Sequence, residues 1–406
     1  MRREDTQDEA AFRREVRAWL EANAELRGEK PITVLDHSPA AEARSWKATQ
    51  EWQAKKFEGG WAAITWPVEY GGRGGTPIES MIFNEEQSKF DVPMGFIAAS
   101  LGMIGPALMR YGTEDQKKYL PAMLRGDEVW CQLFSEPEAG SDLAAVRTRG
   151  HVEGDELVIN GQKVWTTSAN LADKGFIVLR TNPEVKKHDG ISFALIDMKQ
   201  PGVEVRPLVT MRGDRHFNEV FLTDVRTPLD HVVNGIDRGW PVTTFVLMNE
   251  GAFIGTSVQS VTTATALIKD AKASGRLEES AVRQRLGEAY ARERVLGQLQ
   301  DRLKGALLDG RNPDVDGSVL KILAAEWGHE RAVTANWLQG ASGMLAGGDA
   351  PMSGLWQDQV LSRGLMSVGG GTLEVHRNGL GERALRLPKE PRFDRDIPFR
   401  DLKTGG

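Results

Sequence analysis

Two polar clusters in the first half of the chain carry side chains suited to holding a ligand. They are Ser135-Glu136-Pro137-Glu138-Ala139-Gly140-Ser141-Asp142 and Val164-Trp165-Thr166-Thr167. Each follows a run of strand-forming residues, 129–134 and 157–165. Asn160-Gly161 is a two-residue turn signal and Glu153-Gly154-Asp155 a second, so the stretch reads as β-hairpins. Hydroxyls, the backbone amides of a glycine-containing loop and one flat indole are thereby gathered at strand ends. Such a set suits a planar, hydrogen-bonding cofactor with a phosphate tail. Taken singly, each cluster is also what a plain turn or a core strand would give.

The carboxylate best placed for proton transfer is Glu250. At helical spacing its neighbours three and four residues away are Val246, Leu247, Phe253 and Ile254, all apolar. A carboxyl among such neighbours is costly to ionise, so its pKa is expected to rise toward the range an acid or base near neutrality needs. The alternative is a glutamate that faces solvent or pairs with a basic residue of another helix.

Other chemistries find little support. The one cysteine, Cys131, sits in an apolar strand with Val129, Trp130 and Leu133, as a packed thiol would. It leaves no partner for an internal disulfide and excludes a multi-cysteine metal site. The seven histidines show no HExxH or comparable spacing, so no metal is implied. The glycine-rich run between Gly59 and Gly75 has neither a GxGxxG nor a Walker pattern and reads as a structural loop. The net charge is 51 − 57 = −6, which is no nucleic-acid footprint. With no run of about 18 apolar residues and no apolar leader, a soluble, cytoplasmic protein is expected.

The elements that must position these groups fall into three parts. Residues 1–128 read as helical: 9–25 carries a one-sided stripe at Phe12, Val16, Trp19 and Leu20, residues 31–39 form a loop, and 40–57 resumes the helical pattern. Thr113 is expected to N-cap a short helix with Gln116. From 129 to 238 the period becomes strand-like, with short runs near 176–179, 191–196, 203–208 and 219–222. That spacing predicts an antiparallel sandwich or barrel, and the lack of βαβ alternation argues against a Rossmann domain. From 239 to 406 four long helices are expected, at 239–272, 279–308, 318–345 and 352–386, forming a bundle. The fold class is α+β, mostly α.

Phe134-Ser135-Glu136-Pro137-x-Ala139-Gly140-Ser141-Asp142 followed by Trp165-Thr166-Thr167 resembles the flavin-holding signatures of the acyl-CoA dehydrogenase family, and the likeness extends over nearly the whole chain. The resemblance implies FAD as cofactor. It places Phe134 and Ser135 at the flavin ring, Ser141 at the CoA arm or the cofactor phosphates, Trp165 against the isoalloxazine and Thr167 near N5. Arg283 matches an arginine that reaches a neighbouring subunit's cofactor, and Thr372 and Glu374 match positions near the adenosine end. In much of the family the base is the glutamate of a Tyr-Glu-Gly-Thr motif, but here Gly370 of Gly369-Gly370-Gly371-Thr372 holds that position. In isovaleryl- and long-chain-type members the base lies on the first helix of the bundle, and that position matches Glu250.

The implied reaction is α,β-dehydrogenation of an acyl-CoA thioester to a 2-enoyl-CoA, which needs a base, hydrogen bonds to the enolate oxygen and a hydride acceptor. Gly370 can offer its backbone N–H to the thioester carbonyl. Gly251 stands where the family commonly has arginine. Together with Gly370 it suggests room for a bulky acyl group, as in relatives acting on steroid side-chain thioesters. Trp337 replaces a glutamine that crosses between subunits in the family. The resemblance further implies an electron-transfer-flavoprotein-like acceptor and a dimer or tetramer, homo- or hetero-oligomeric. Two alternatives stay open: a non-catalytic partner subunit of a hetero-oligomer, and a flavin monooxygenase on the same fold.

Overall fold

The computed structural model describes residues 5–27, 36, 38–93, 97, 99–257, 263–311, 314–391, 394 and 396–402, and side chains are described for these except at 251–257, 307, 308 and 314. Most of the predicted loop at 31–39 lies outside the described residues. In chain order the helices are α1 (Gln7–Asn23), α2 (Pro39–Glu58), α3 (Pro77–Gln87), α4 (Gly105–Tyr111), α5 (Glu114–Lys117) and α6 (Leu120–Arg125), then, after the strands, α7 (Trp240–Ser257), α8 (Ala264–Ala273), α9 (Ser280–Leu308), α10 (Asp314–Leu338), α11 (Leu355–Leu361), α12 (Arg363–Val368) and α13 (Leu373–Gly379). The strands are β1 (Trp130–Leu133), β2 (Arg149–Glu153), β3 (Glu156–Thr167), β4 (Lys174–Arg180), β5 (Ile191–Asp197), β6 (Val203–Leu208) and β7 (Phe217–Pro228).

The chain divides into two compact units, and both are discontinuous. One holds residues 1–36, 77–92 and 254–389, the other 37–76, 93–253 and 390–406. Local signals build the helices of each. Thr6 closes a capping box with Glu9 at the start of α1, whose buried face is Phe12, Val16 and Leu20. Thr113 does the same with Gln116 for α5, as expected.

In the second unit the seven strands form one sheet in the order β1-β4-β2-β3-β7-β6, with β5 paired to β4. It curls but does not close into a barrel, and it is not wholly antiparallel, because β1 runs parallel to β4 from Trp130↔Lys174 to Leu133↔Ile177. The predicted antiparallel sandwich or barrel is corrected to this open, mixed half-barrel. The hairpin turn at Gly154-Asp155 forms as expected, joining Glu153 to Glu156. Asn160-Gly161 is not a turn. It lies inside β3, where a register shift separates Ile159↔Val225 from Gly161↔Leu222. A Cβ on Gly161 would come within 2.4 Å of the Thr148 hydroxyl, so glycine is required there by close strand approach.

In the first unit Leu267, Val282, Leu286, Ala332, Ala335 and Trp356 form a helical core among α8, α9, α10 and α11. Two of the four predicted long helices are broken. Thr263 N-caps α8 as a new start, accepting from the Ala266 amide at 3.2 Å. The 352–386 stretch becomes α11, α12 and α13, interrupted where Met352, Ser353, Gly354, Gly370 and Gly371 adopt positive φ. A helix cannot continue through left-handed residues.

Candidate active site

The second unit brings together Phe134, Ser135, Ser141, Trp165, Thr167 and Glu250, while Arg283, Gly370, Thr372 and Glu374 lie in the first. The two polar clusters meet directly, since the Val164 amide donates to the Ser135 carbonyl at 2.9 Å. Behind them stands a buried ion pair. The Glu136 carboxylate accepts from the Arg147 amide at 2.6 Å, the Thr148 amide at 3.0 Å and the Lys163 ammonium at 2.7 Å. Lys163, fully buried, also donates to the carbonyls of Phe134 (3.0 Å) and Val178 (2.6 Å). Burial pushes the Glu136 carboxyl up, but Lys163 and the backbone donors outweigh it and hold the group below the ordinary carboxylate range. Glu136 is thus the internal peg of its loop. Its pairing with Lys163 was not foreseen, although a lysine at an inward-facing position of a strand is a readable signal of a buried partner.

Beside this peg the chain bulges. The register shift between Lys163 and Thr166 puts Trp165 at φ 60 with its indole 60% exposed, edge-on to Phe217 at 5.9 Å. Thr167 is exposed next to it, and among the described residues the buried hydroxyls of Thr166 and Ser168 have no hydrogen-bond partner. Ser141 is exposed, and a Cβ on the adjacent Gly140 would meet nothing. An open aromatic face, hydroxyls and an unobstructed loop fit a flat cofactor with a phosphate tail. Phe134 turns its side chain inward. Its ring is buried in the core, 5.7 Å from Phe176 and 6.1 Å from Phe193, which leaves its backbone rather than its ring for ligand contact.

Glu250 lies on α7 and is half-buried. The Gln132 side-chain amide on β1 donates to its Oε2 at 3.2 Å. A donor on one oxygen fixes the orientation of the carboxylate. Of the apolar neighbours read from the sequence, Val246 is buried and Leu247 is partly exposed, while the side chains of Phe253 and Ile254, and the surroundings of Gly251, lie outside the described residues. Gln132 was not anticipated, and no spacing rule would have found a partner so far away in the chain. Cys131 is a packed thiol, its pKa pushed up to about 12 by burial, too high for a nucleophile near neutrality.

In the first unit, Gly370 and Gly371 sit at φ 70 and 91 in a loop gripped from two helices. Lys321 on α10 donates to the carbonyls of Met366 (2.8 Å) and Gly369 (2.7 Å). His376 Nε2 lies 3.1 Å from the Gly370 carbonyl, and its Nδ1 lies 3.1 Å from the Ser318 hydroxyl. Thr372 N-caps α13, accepting from the Val375 amide, and exposed Glu374 pairs with Arg377 at 3.5 Å. Exposed Arg283 donates to the carbonyls of Leu277 and Glu278. Trp337 carries Arg285 and Arg276 over its ring at 4.4 and 5.1 Å. Among the described residues no cluster of three or more His, Cys, Asp or Glu could hold a metal ion, and no helix is long and apolar enough to cross a membrane.

A mixed α+β chain with an exposed strand-borne indole, a pegged Ser/Gly loop and a helix-borne carboxylate held by an amide has the make-up of a flavin-dependent dehydrogenase. The chain belongs to the acyl-CoA dehydrogenase family, a family of flavoproteins. Three of its domain models match in succession: the N-terminal domain over residues 6–127, the middle domain over 131–225 and the C-terminal domain over 237–385. The chain is similar to acyl-CoA dehydrogenase IpdE1 of Mycolicibacterium smegmatis (35% identical, covering 93% of this chain and 98% of the relative) and to IpdE1 of Mycobacterium tuberculosis (33%, 95% and 99%). Among solved structures it resembles the Tcur3481-Tcur3483 steroid ACAD at 28% identity with a TM-score of 0.79, over 95% of this chain and 99% of that one. It is an enzyme of the acyl-CoA dehydrogenase type.

Proposed function

We propose that the chain dehydrogenates a bulky, steroid-like acyl-CoA thioester at its α,β bond, with Glu250 as the base that removes the α-proton. The observation that carries this reading is the half-buried Glu250 carboxylate, oriented by Gln132 only two residues before Phe134-Ser135. Gln132 aims the carboxylate, so that in its ionised form it can take a proton from carbon. Gly370, in a loop fixed by Lys321 and His376, carries a backbone N–H of the kind that can stabilise an enolate oxygen. Trp165, Thr167, Ser135 and Ser141 would hold FAD, which when bound supplies the two-electron acceptor for the β-hydrogen. Arg283, Thr372 and Glu374 are assigned to cofactor contacts within an oligomer. The pair Tcur3481-Tcur3483 is described as a steroid ACAD, and the glycines at 251 and 370 agree with an acyl group larger than a straight chain.

The test is the visible spectrum of the purified protein before and after anaerobic addition of a panel of acyl-CoAs, alongside size-exclusion chromatography with light scattering. A yellow oligomer bleached by a bulky thioester supports the reading, whereas preference for short straight chains removes the substrate assignment. Glu250→Gln is expected to retain FAD and to slow bleaching by several orders of magnitude, roughly what removal of a general base costs together with the proton transfer it drives. A variant that keeps most of the wild-type rate would show that another group is the base.

A further inference from the structure

The last stretch of the chain lies beyond residue 385, where the matched C-terminal family domain ends. It returns to the second unit and is sewn onto the loop between β4 and β5. The Phe399 amide donates to the Val185 carbonyl at 2.8 Å and the Arg400 amide to the Pro183 carbonyl at 3.0 Å, and Pro398 forms an antiparallel bridge with Lys186. The Arg180 guanidinium lies 3.7 Å over the Phe399 ring. Lys186 pairs with Asp396 at 2.5 Å and Arg400 with Glu184.

Inward of this strap the same loop grips the first polar cluster. The Lys187 ammonium lies 2.5 Å from Asp394 Oδ2 and 3.2 and 2.9 Å from the two oxygens of Asp142. Its side chain is only 11% exposed, against 59% for Asp142 and 39% for Asp394. Arg180 donates to the carbonyls of Lys187 and Ala144, each at 2.6 Å. Strap, β4–β5 loop and the 135–145 loop are therefore one hydrogen-bonded chain. Its effect is electrostatic as well as mechanical. Asp142 follows Ser141, and a bare carboxylate there would repel a phosphate.

We propose that Lys187, fixed from outside by Asp394 of the C-terminal strap, is a positioning residue for the phosphates of FAD: it neutralises Asp142 and sets the Ser141–Asp142 loop. This inference rests on the proposed flavin-dependent function. It is tested by titrating FAD into the full-length apoprotein, followed by flavin fluorescence, for the wild type, Lys187→Met, Lys187→Arg and Asp394→Asn, with the thermal melt of each apoprotein. Lys187→Met is expected to raise the FAD dissociation constant about tenfold, an effect that shrinks with added salt. Lys187→Arg keeps the charge and both carboxylate contacts and is expected to bind FAD like the wild type, while Asp394→Asn weakens it several-fold. Because water can reach both aspartates, the apoprotein melts should differ little. Unchanged FAD affinity in Lys187→Met beside a lowered melt would reduce the strap to a structural brace and overturn the proposal. If Lys187→Met does not fold, wild-type affinity in Asp394→Asn overturns it equally. A wild type that binds no FAD would instead remove the proposed function itself.

Discussion

Trp165 sits in the left-handed region at φ 60, where a bulky L-residue is rare and costs on the order of 1 kcal/mol or more. Its ring is mostly exposed and touches Phe217 only by an edge. A strained residue with so little packing is retained for something outside the apoprotein's own stability. Trp165→Gly relieves the strain, gaining about 1 kcal/mol, and loses the edge contact, which is worth about as much. The apoprotein's urea midpoint is therefore expected to stay within about 1 kcal/mol of the wild type, while FAD affinity falls about tenfold with the loss of one aromatic face. A collapse of apoprotein stability would mean that the indole is core. The letters of this site were legible because glycines, hydroxyls and the indole stand close together in sequence. The peg Glu136–Lys163 and the Gln132–Glu250 contact were not, because each joins residues of separate elements, and pairing across a sheet or from a strand to a helix leaves no local period.

At the scale of elements, helix α1 was readable from its one-sided apolar stripe, α5 from its Thr113 cap, and the hairpin at Gly154-Asp155 from its turn residues. Asn160-Gly161 misled because the same dipeptide that fits a turn also fits a place where two strands crowd, here against Thr148. The predicted fourth long helix misled because helix-forming residues continue on both sides of Gly370-Gly371, whose left-handed backbone ends a helix whatever flanks it. One pair of elements carries a pH signature. Glu86 of α3, with its side chain fully buried, accepts from Arg13 and Arg17 of α1 and from Lys89. Burial alone would push its carboxyl up, but the hydrogen bonds from Arg17, Lys89 and Arg13 outweigh it and bring the pKa down to about 2. A depressed carboxylate pKa adds stability above the unfolded value, near 4.5, and that stability is lost as pH falls through about 2. Glu86→Gln is expected to cost about 3 kcal/mol at pH 7, with the gap to the wild type closing toward pH 2 in urea melts. An equal gap at pH 7 and pH 3 would refute an ionic origin.

For the whole molecule, the chain forms two interleaved units, because hydrophobic cores are assembled from distant segments. The core under the sheet packs Trp66, Met103, Ile104, Leu108, Leu120, Met123 and Leu124 with Trp130, Phe134, Phe176 and Phe193, and closes with Val242 and Val246. Seven of these large side chains precede residue 129 and two follow 238. Each large apolar side chain contributes about 1.5–3 kcal/mol when fully buried. Removing nine of them exceeds the 5–15 kcal/mol that holds a domain folded, by roughly a factor of two at mid-range. Residues 129–238 expressed alone would also lack the strap that pins the β4–β5 loop. That fragment is therefore expected to be unfolded or aggregated, with no near-ultraviolet circular dichroism and a collapsed amide spectrum, although it contains every strand of the sheet. A dispersed amide spectrum from the isolated fragment would show that the strands carry their own core and that the flanking helices only decorate it.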